Sequence, residues 1–137
     1  VIDLSPVFSS ETESRDVSIA DLEPSAKSLT EAPRLLLKTE RWRDSAIFPN
    51  RIPVLAQEVP AWLRARGVIL FGVDLPSVDA IDSKDLFNHH ALAKAGIAIV
   101  ESLDLAEVKG GRYNFAALPL KIIGGDAAPV RAILWRD

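Results

Sequence analysis

The sequence predicts one α/β domain, a mixed sheet wrapped by helices, spanning residues 1–137. Three observations predict it. Helical and strand-like segments alternate between residues 59 and 100, the pattern of parallel strands with covering helices. Two strand-like runs then close the chain around Gly124-Gly125-Asp126, as an antiparallel return would. Finally, 137 residues, 48% hydrophobic and 26% charged, have the size and apolar content of a single packed domain.

The elements follow in order. Val1-Ile2-Asp3-Leu4 is a short apolar run of the kind found in buried strands. Residues 9–31 are polar and acidic. Within them Asp16 or Ser18 can cap a short helical turn through Ile19, Ala20 and Leu22, limited by Pro24. Ala26, Leu29 and Ala32 mark a second short helix, and Arg34-Leu35-Leu36-Leu37-Lys38-Thr39 reads as a strand after Pro33. Residues 40–53 have no clean period and hold Trp42 and Phe48 between charged residues; irregular loops this long are often functional. A helix over residues 59–66 tolerates Pro60 in its first turn, stops at Gly67 and turns Trp62, Leu63 and Ala65 inward.

Residues 68–73 are apolar enough for a central strand. A loop over 74–79 leaves it, and Asp82-Ser83-Lys84-Asp85 leads into a helix over 86–95 closed by Gly96. Residues 97–100 form another buried strand. Asp104 is expected to cap a helical turn over 104–108. Gly110-Gly111 then turns the chain into a strand over 112–118, which pairs with residues 130–135.

Composition excludes several classes. A net charge of −3, from 16 basic and 19 acidic residues, gives no basic stripe, so nucleic acid is not an expected partner. The longest apolar runs fall far short of the ~20 residues of a membrane helix. No charged start followed by an apolar segment suggests a signal peptide. With no cysteine there are no disulfides or thiolate metal sites, which fits a cytoplasmic location. Methionine is also absent and the sequence begins at Val1, so it is expected to be the later part of a larger protein.

Only two histidines occur, His89 and His90, adjacent near the start of a predicted helix. Glu101 lies twelve residues beyond His89. The helix carries the chain about 9 Å one way and the strand returns it about 13 Å, so His89 and Glu101 can meet at one edge of the domain. An imidazole and a carboxylate suit zinc, manganese or iron(II). Equally, His89 can bond locally while Glu101 ends its strand in solvent. His90 is expected to be exposed or packed behind its neighbour. Asp74, Ser77 and Asp79 sit past the exit of an apolar strand, where α/β sheets bind ligands, but they are also ordinary turn residues. Trp42 and Phe48 could line an aromatic pocket or belong to the core. Gly124-Gly125 lacks the context of a phosphate loop.

Longer runs carry more information. Gly72-Val73-Asp74-Leu75-Pro76-Ser77-Val78-Asp79, Asp82-Ser83-Lys84-Asp85-Leu86 and Asn88-His89-His90-Ala91-Leu92 are followed by Glu101-Ser102-Leu103-Asp104-Leu105, Ala117-Leu118-Pro119-Leu120-Lys121 and Pro129-Val130-Arg131-Ala132. In this order they resemble the second half of the bacterial kynurenine formamidase (arylformamidase) family of cyclase-like metal-dependent hydrolases. The resemblance implies a swivelling β/β/α fold, often dimeric, with two zinc ions per active site, manganese or another divalent metal being the alternative. It implies that His89 and Glu101 are metal ligands. The other ligands and the proton-transferring histidine would come from an upstream HxGTHxDxPxH motif, which this sequence lacks. No catalytic residue is therefore assigned within the chain.

The implied reaction is hydrolysis of N-formylkynurenine to kynurenine and formate, with Trp42 as a candidate substrate contact. The free ring nitrogen of His89 should find an acceptor of its own. The alternatives are another cyclase-family amidase or lactone hydrolase, or an inactive metal-free fragment acting as a binding or structural module. Catalytic zinc normally takes three protein ligands, so the chain alone, with two, is expected to be inactive.

Overall fold

The computed structural model describes residues 1–8 and 15–136. Strands β1 (Ile2–Asp3), β2 (Arg34–Lys38), β3 (Leu70–Val73) and β4 (Ala98–Val100) form one sheet in the order β1-β2-β3-β4, every pair parallel. Helices fill the connections: α1 (Ile19–Leu22) and α2 (Ala26–Glu31) before β2, α3 (Val59–Ala65) before β3, and α4 (Phe87–Lys94) before β4. β5 (Asn114–Pro119) and β6 (Val130–Trp135) pair antiparallel. The α/β class is as expected. The parallel and antiparallel strands, however, occupy two separate sheets rather than one.

Alternation along β2 explains the layering. Leu35 and Leu37 point into the main core with Phe71, Val73, Leu63 and Leu92, whereas Leu36, also buried, lies outside that cluster. Leu36 borders clefts lined by Phe115 of β5 and Leu134 of β6, which places the hairpin over the second face of the sheet. Gly72 sits in register between Leu36 and Val100. A Cβ there would fall 2.5 Å from Leu36 Cδ2 and 2.8 Å from Leu103 Cδ1, so the missing side chain is what lets the two leucines close over β3.

Two expectations need correction. The inner face of α3 is Val59, Pro60 and Leu63, with half-buried Trp62 packed against the core beside them as expected, whereas Ala65 is exposed. Val59 and Leu63 share a helical face four residues apart, while the Trp62 ring is covered by the Arg66 guanidinium, 3.6 Å from its centroid. Residues 104–108 form a turn and no helix. Asp104 Oδ1 accepts the Ala106 N–H locally, and buried Lys38 donates from Nζ to the carbonyls of Ala106 (2.7 Å) and Val108 (3.1 Å). That lysine holds the turn against the end of β2, and the Val108 N–H bonds to the Leu105 carbonyl rather than to the Asp104 carbonyl that an α-helical turn would use.

Near the amino end, Ser18 caps α1. Its N–H and hydroxyl both donate to Asp21, which also receives a two-pronged contact from Arg15.

Candidate functional site

A parallel sheet delivers all its strand exits to one edge. Here β2 exits into Thr39 and Glu40, β3 into Asp74 and β4 into Glu101. α4 runs back antiparallel to β4, with Gly96 at φ +70 making the reversal. His89, on the first turn of α4, thereby meets Glu101: His89 Nε2 lies 3.2 Å from Glu101 Oε1. The two side chains are 34% and 27% exposed, so solvent reaches both. His90 points outward and is exposed.

The start of α4 is unusual. Its N-cap position is Leu86, held at φ +45 and with no side-chain oxygen to offer. The cap comes instead from Asp79, whose Oδ1 accepts the Asn88 N–H at 2.7 Å and whose Oδ2 accepts the His89 N–H at 3.1 Å. The same Oδ2 lies 2.7 Å from His89 Nδ1. Burial pushes the Asp79 carboxyl up, but the Asn88 and His89 hydrogen bonds outweigh that and hold it below the ordinary aspartate value. One residue earlier, the Val78 N–H donates to Glu101 Oε1 at 2.7 Å. Asn88 is buried and donates from Nδ2 to the carbonyls of Val78 (3.1 Å) and Leu55 (3.3 Å). Its Oδ1 has no hydrogen-bond partner among the described residues.

The three loop residues of the sequence reading separate. Ser77 does turn chemistry, its Oγ accepting the Asp79 N–H. Asp74 bridges strands: it accepts the N–H and hydroxyl of Thr39 and the N–H of Glu40, and burial pushes its carboxyl above the ordinary value despite those bonds. Asp79 belongs to the His89 site. A carboxylate in the loop before a helix whose own cap position is a leucine was the available signal for it. Val78 acts through its backbone, which no side-chain pattern reveals.

Trp42 stands four residues past β2. Its indole N–H donates to the Ile47 carbonyl and its ring meets Phe48 edge-to-face, with centroids 6.1 Å apart. It also packs against the main core, half-buried, while Phe48 is largely exposed. Glu101 borders a cleft of about 420 Å³ between the β4 exit and the hairpin, walled by Leu103, Phe115, Ile133 and Leu134 with Arg131 at its side. Among the described residues no group of three or more His, Cys, Asp or Glu side chains is arranged to hold a metal ion. No helix among them is long and apolar enough to cross a membrane.

No protein-family model matches the chain. Individual relatives do. It is 46% identical over 101 residues to a kynurenine formamidase of Geobacillus thermodenitrificans, covering 74% of this chain and 48% of that protein. The chain is related to the kynurenine formamidases. That of Salinibacter ruber is 48% identical over 112 residues (75% of this chain, 49% of the relative) and that of Bacillus mycoides 40% over 126 residues (88% and 60%). The chain thus spans about half to three fifths of the length of these relatives.

Solved structures agree on the fold. A potential metal-dependent hydrolase with cyclase activity superimposes with a TM-score of 0.76 at 27% identity, over 96% of this chain and 61% of the other. An isatin hydrolase bound to a product analogue shares the fold with a TM-score of 0.71 at 19% identity, over 96% of this chain and 56% of the other. This chain has the fold of cyclase-like metal-dependent hydrolases, and the kynurenine formamidase resemblance extends across most of its length.

Proposed function

We propose that this chain supplies one wall of the active site of a metal-dependent amide hydrolase acting on N-formylkynurenine. The observation that carries the reading is the 3.2 Å approach of His89 Nε2 to Glu101 Oε1 in a relative of the kynurenine formamidases. Two donors each about 2.0–2.1 Å from one tetrahedral ion stand roughly 3.3 Å apart, so the pair has a spacing suited to a shared zinc. The donor types fit as well, and two zinc ions, or manganese in their place, are proposed per site. Bound there, the metal would supply a nucleophile from water near neutral pH and polarise the formyl carbonyl.

The chain's own residues do the holding. His89 would ligate through Nε2, because Nδ1 faces Asp79. Glu101 Oε1 is steadied by the Val78 N–H, and Glu101 would hold the metal through its carboxylate. Trp42, beyond the same sheet edge, is proposed as an aromatic contact for the substrate's ring. No proton-transferring residue is assigned within this chain. Association as a homodimer is part of the proposal, supported by the apolar row Leu118, Leu120, Ile122, Ile123, Ile133 and Trp135 exposed on and beside the hairpin. A cytoplasmic location is proposed from the absence of cysteine.

The test is a chimera in which this chain replaces the matching portion of the Geobacillus relative. Chelator-sensitive release of formate from N-formylkynurenine is expected, with His89→Ala or Glu101→Ala lowering metal content and turnover together. Loss of turnover with metal still stoichiometric would refute the ligand assignment. The 137-residue chain alone is expected to be inactive, since two donors do not complete a dinuclear site.

A further inference from the structure

We propose that Asp79 is a positioning residue that fixes both the rotamer and the tautomer of His89, presenting the Nε2 lone pair beside Glu101; the inference rests on the metal-site reading above.

The argument begins with one oxygen. Asp79 Oδ2 accepts the backbone N–H of His89 at 3.1 Å and lies 2.7 Å from the Nδ1 of the same residue. Two bonds from a single residue to a single atom close a ring through N, Cα, Cβ, Cγ and Nδ1. That closure restricts χ1 and χ2 together. The oxygen itself is well anchored, because its partner Oδ1 holds the Asn88 N–H at 2.7 Å and the Asp79 side chain is only 4% exposed. The imidazole is therefore oriented by a group that is part of the helix start and cannot swing without uncapping α4.

The tautomer follows from comparing the two carboxylates. A neutral imidazole has one N–H and gives it to the better acceptor. Asp79 is buried and 2.7 Å from Nδ1. Glu101 is 27% exposed, 3.2 Å from Nε2, and already uses the facing oxygen to accept the Val78 N–H. Nδ1 keeps the proton, and the Nε2 lone pair is turned toward Glu101. Two lone pairs facing each other form a gap that a cation fills favourably. Because Val78 and Asp79 are consecutive, one dipeptide sets the position of both donors.

With only two histidines in the chain, the prediction can be read directly. Long-range 15N–1H spectra of the metal-free 137-residue chain, at a pH where imidazole is neutral, should show His89 as the Nδ1–H tautomer; the His90→Ala variant assigns the signals. In Asp79→Asn the Nε2–H form should grow, and the same substitution in the Geobacillus chimera should lower zinc affinity by calorimetric titration about 10–100-fold. Finding His89 as Nε2–H in the unaltered chain would overturn the inference, and that measurement stands even if the variant does not fold. An unchanged tautomer and an affinity within twofold in a folded Asp79→Asn would overturn it too. If the Geobacillus chimera, which supplies the upstream ligands, takes up no zinc, the metal-site reading fails separately, while the tautomer still decides the role of Asp79.

Discussion

The Val78 N–H donates to Glu101 Oε1 at 2.7 Å, so the carboxylate ending β4 is held by the loop leaving β3. This contact separates two contributions of Glu101. Glu101→Gln keeps a carbonyl oxygen for Val78 and removes the charge. Its thermal stability should stay within about 0.5 kcal/mol of the parent, while zinc affinity falls at least tenfold. Glu101→Ala also leaves the N–H of buried Val78 without its acceptor, adding about 1–3 kcal/mol of destabilisation. Equal destabilisation by the two substitutions, measured by denaturant unfolding, would show that the Val78 contact contributes nothing.

Asp74 and Asp21 should tilt the pH dependence of stability in opposite directions. Burial raises the Asp74 carboxyl, so between the ordinary aspartate value near 3.9 and its folded value the native state holds more protons than the unfolded one. Stability through this group is full below the unfolded value and is lost as pH rises through the folded one. The parent should therefore gain on Asp74→Asn as a sample is acidified from neutrality toward about pH 4. The hydrogen bond from Arg15, joined by those from Ser18, holds Asp21 far below the ordinary value. Its contribution is present above about pH 4 and disappears as pH falls through the folded value, so the parent should lose ground to Asp21→Asn only below about pH 4. Melting temperatures of the three proteins across pH 2–7 check both signs; parallel curves would refute them.

Much of this architecture was legible because local signals agreed with each other. Pro60 in the first turn and Gly67 after the last bracketed α3, and the apolar run over 68–73 gave β3 its central place. The meeting of His89 and Glu101 followed from arithmetic on a helix, a glycine turn and a strand. The failures arose where long-range partners overrode local chemistry. Lys38, some seventy residues away, ties the carbonyls of Ala106 and Val108 to the end of β2 while the Val108 N–H closes a tighter turn onto Leu105. On α3 the fully buried stripe runs through Val59 and Leu63, four residues apart on one helical face, which leaves Ala65 in solvent and Trp62 at the edge with Arg66 over its ring. Asp79 read as a turn residue because its decisive partners, the N–H groups of α4 and the His89 ring, exist only after the chain has doubled back.

The junction of α3 and α4 should be the point at which the main core is most sensitive. Leu63 and Leu92 have no exposed surface and belong to the same buried cluster as Phe71. Truncation of either to alanine removes several carbon atoms and leaves a void that close-packed neighbours fill only partly. Each variant should lose about 2–5 kcal/mol in urea unfolding. Leu92→Ala should in addition loosen His89, one turn earlier on the same helix, and weaken zinc binding beyond the effect of Leu63→Ala. Equal affinities in the two variants would show that the site does not depend on how α4 is seated.

Gly72 allows the second face of the sheet to pack, and its replacement tests that face while leaving His89, Asp79 and Glu101 themselves unchanged. In Gly72→Ala the new methyl group would meet Leu36 Cδ2 at 2.5 Å and Leu103 Cδ1 at 2.8 Å, closer than carbon atoms approach. Both are ends of flexible side chains, so the fold can respond by rotating them, at a cost of about 1–3 kcal/mol for overpacking. Leu103 lies two residues beyond Glu101 and borders the same cleft, and displacing it should reshape that cleft while leaving the Val78 and Asp79 contacts in place. The diagnostic measurement is a double-mutant cycle with Leu36→Ala. Leu36→Ala alone opens a void and destabilises, but in the Gly72→Ala background it also relieves the collision. The double variant should therefore be more stable than the sum of the single effects predicts, by at least about 0.5 kcal/mol. Strict additivity would place the strain elsewhere and dissociate Gly72 from the closure of the two leucines over β3.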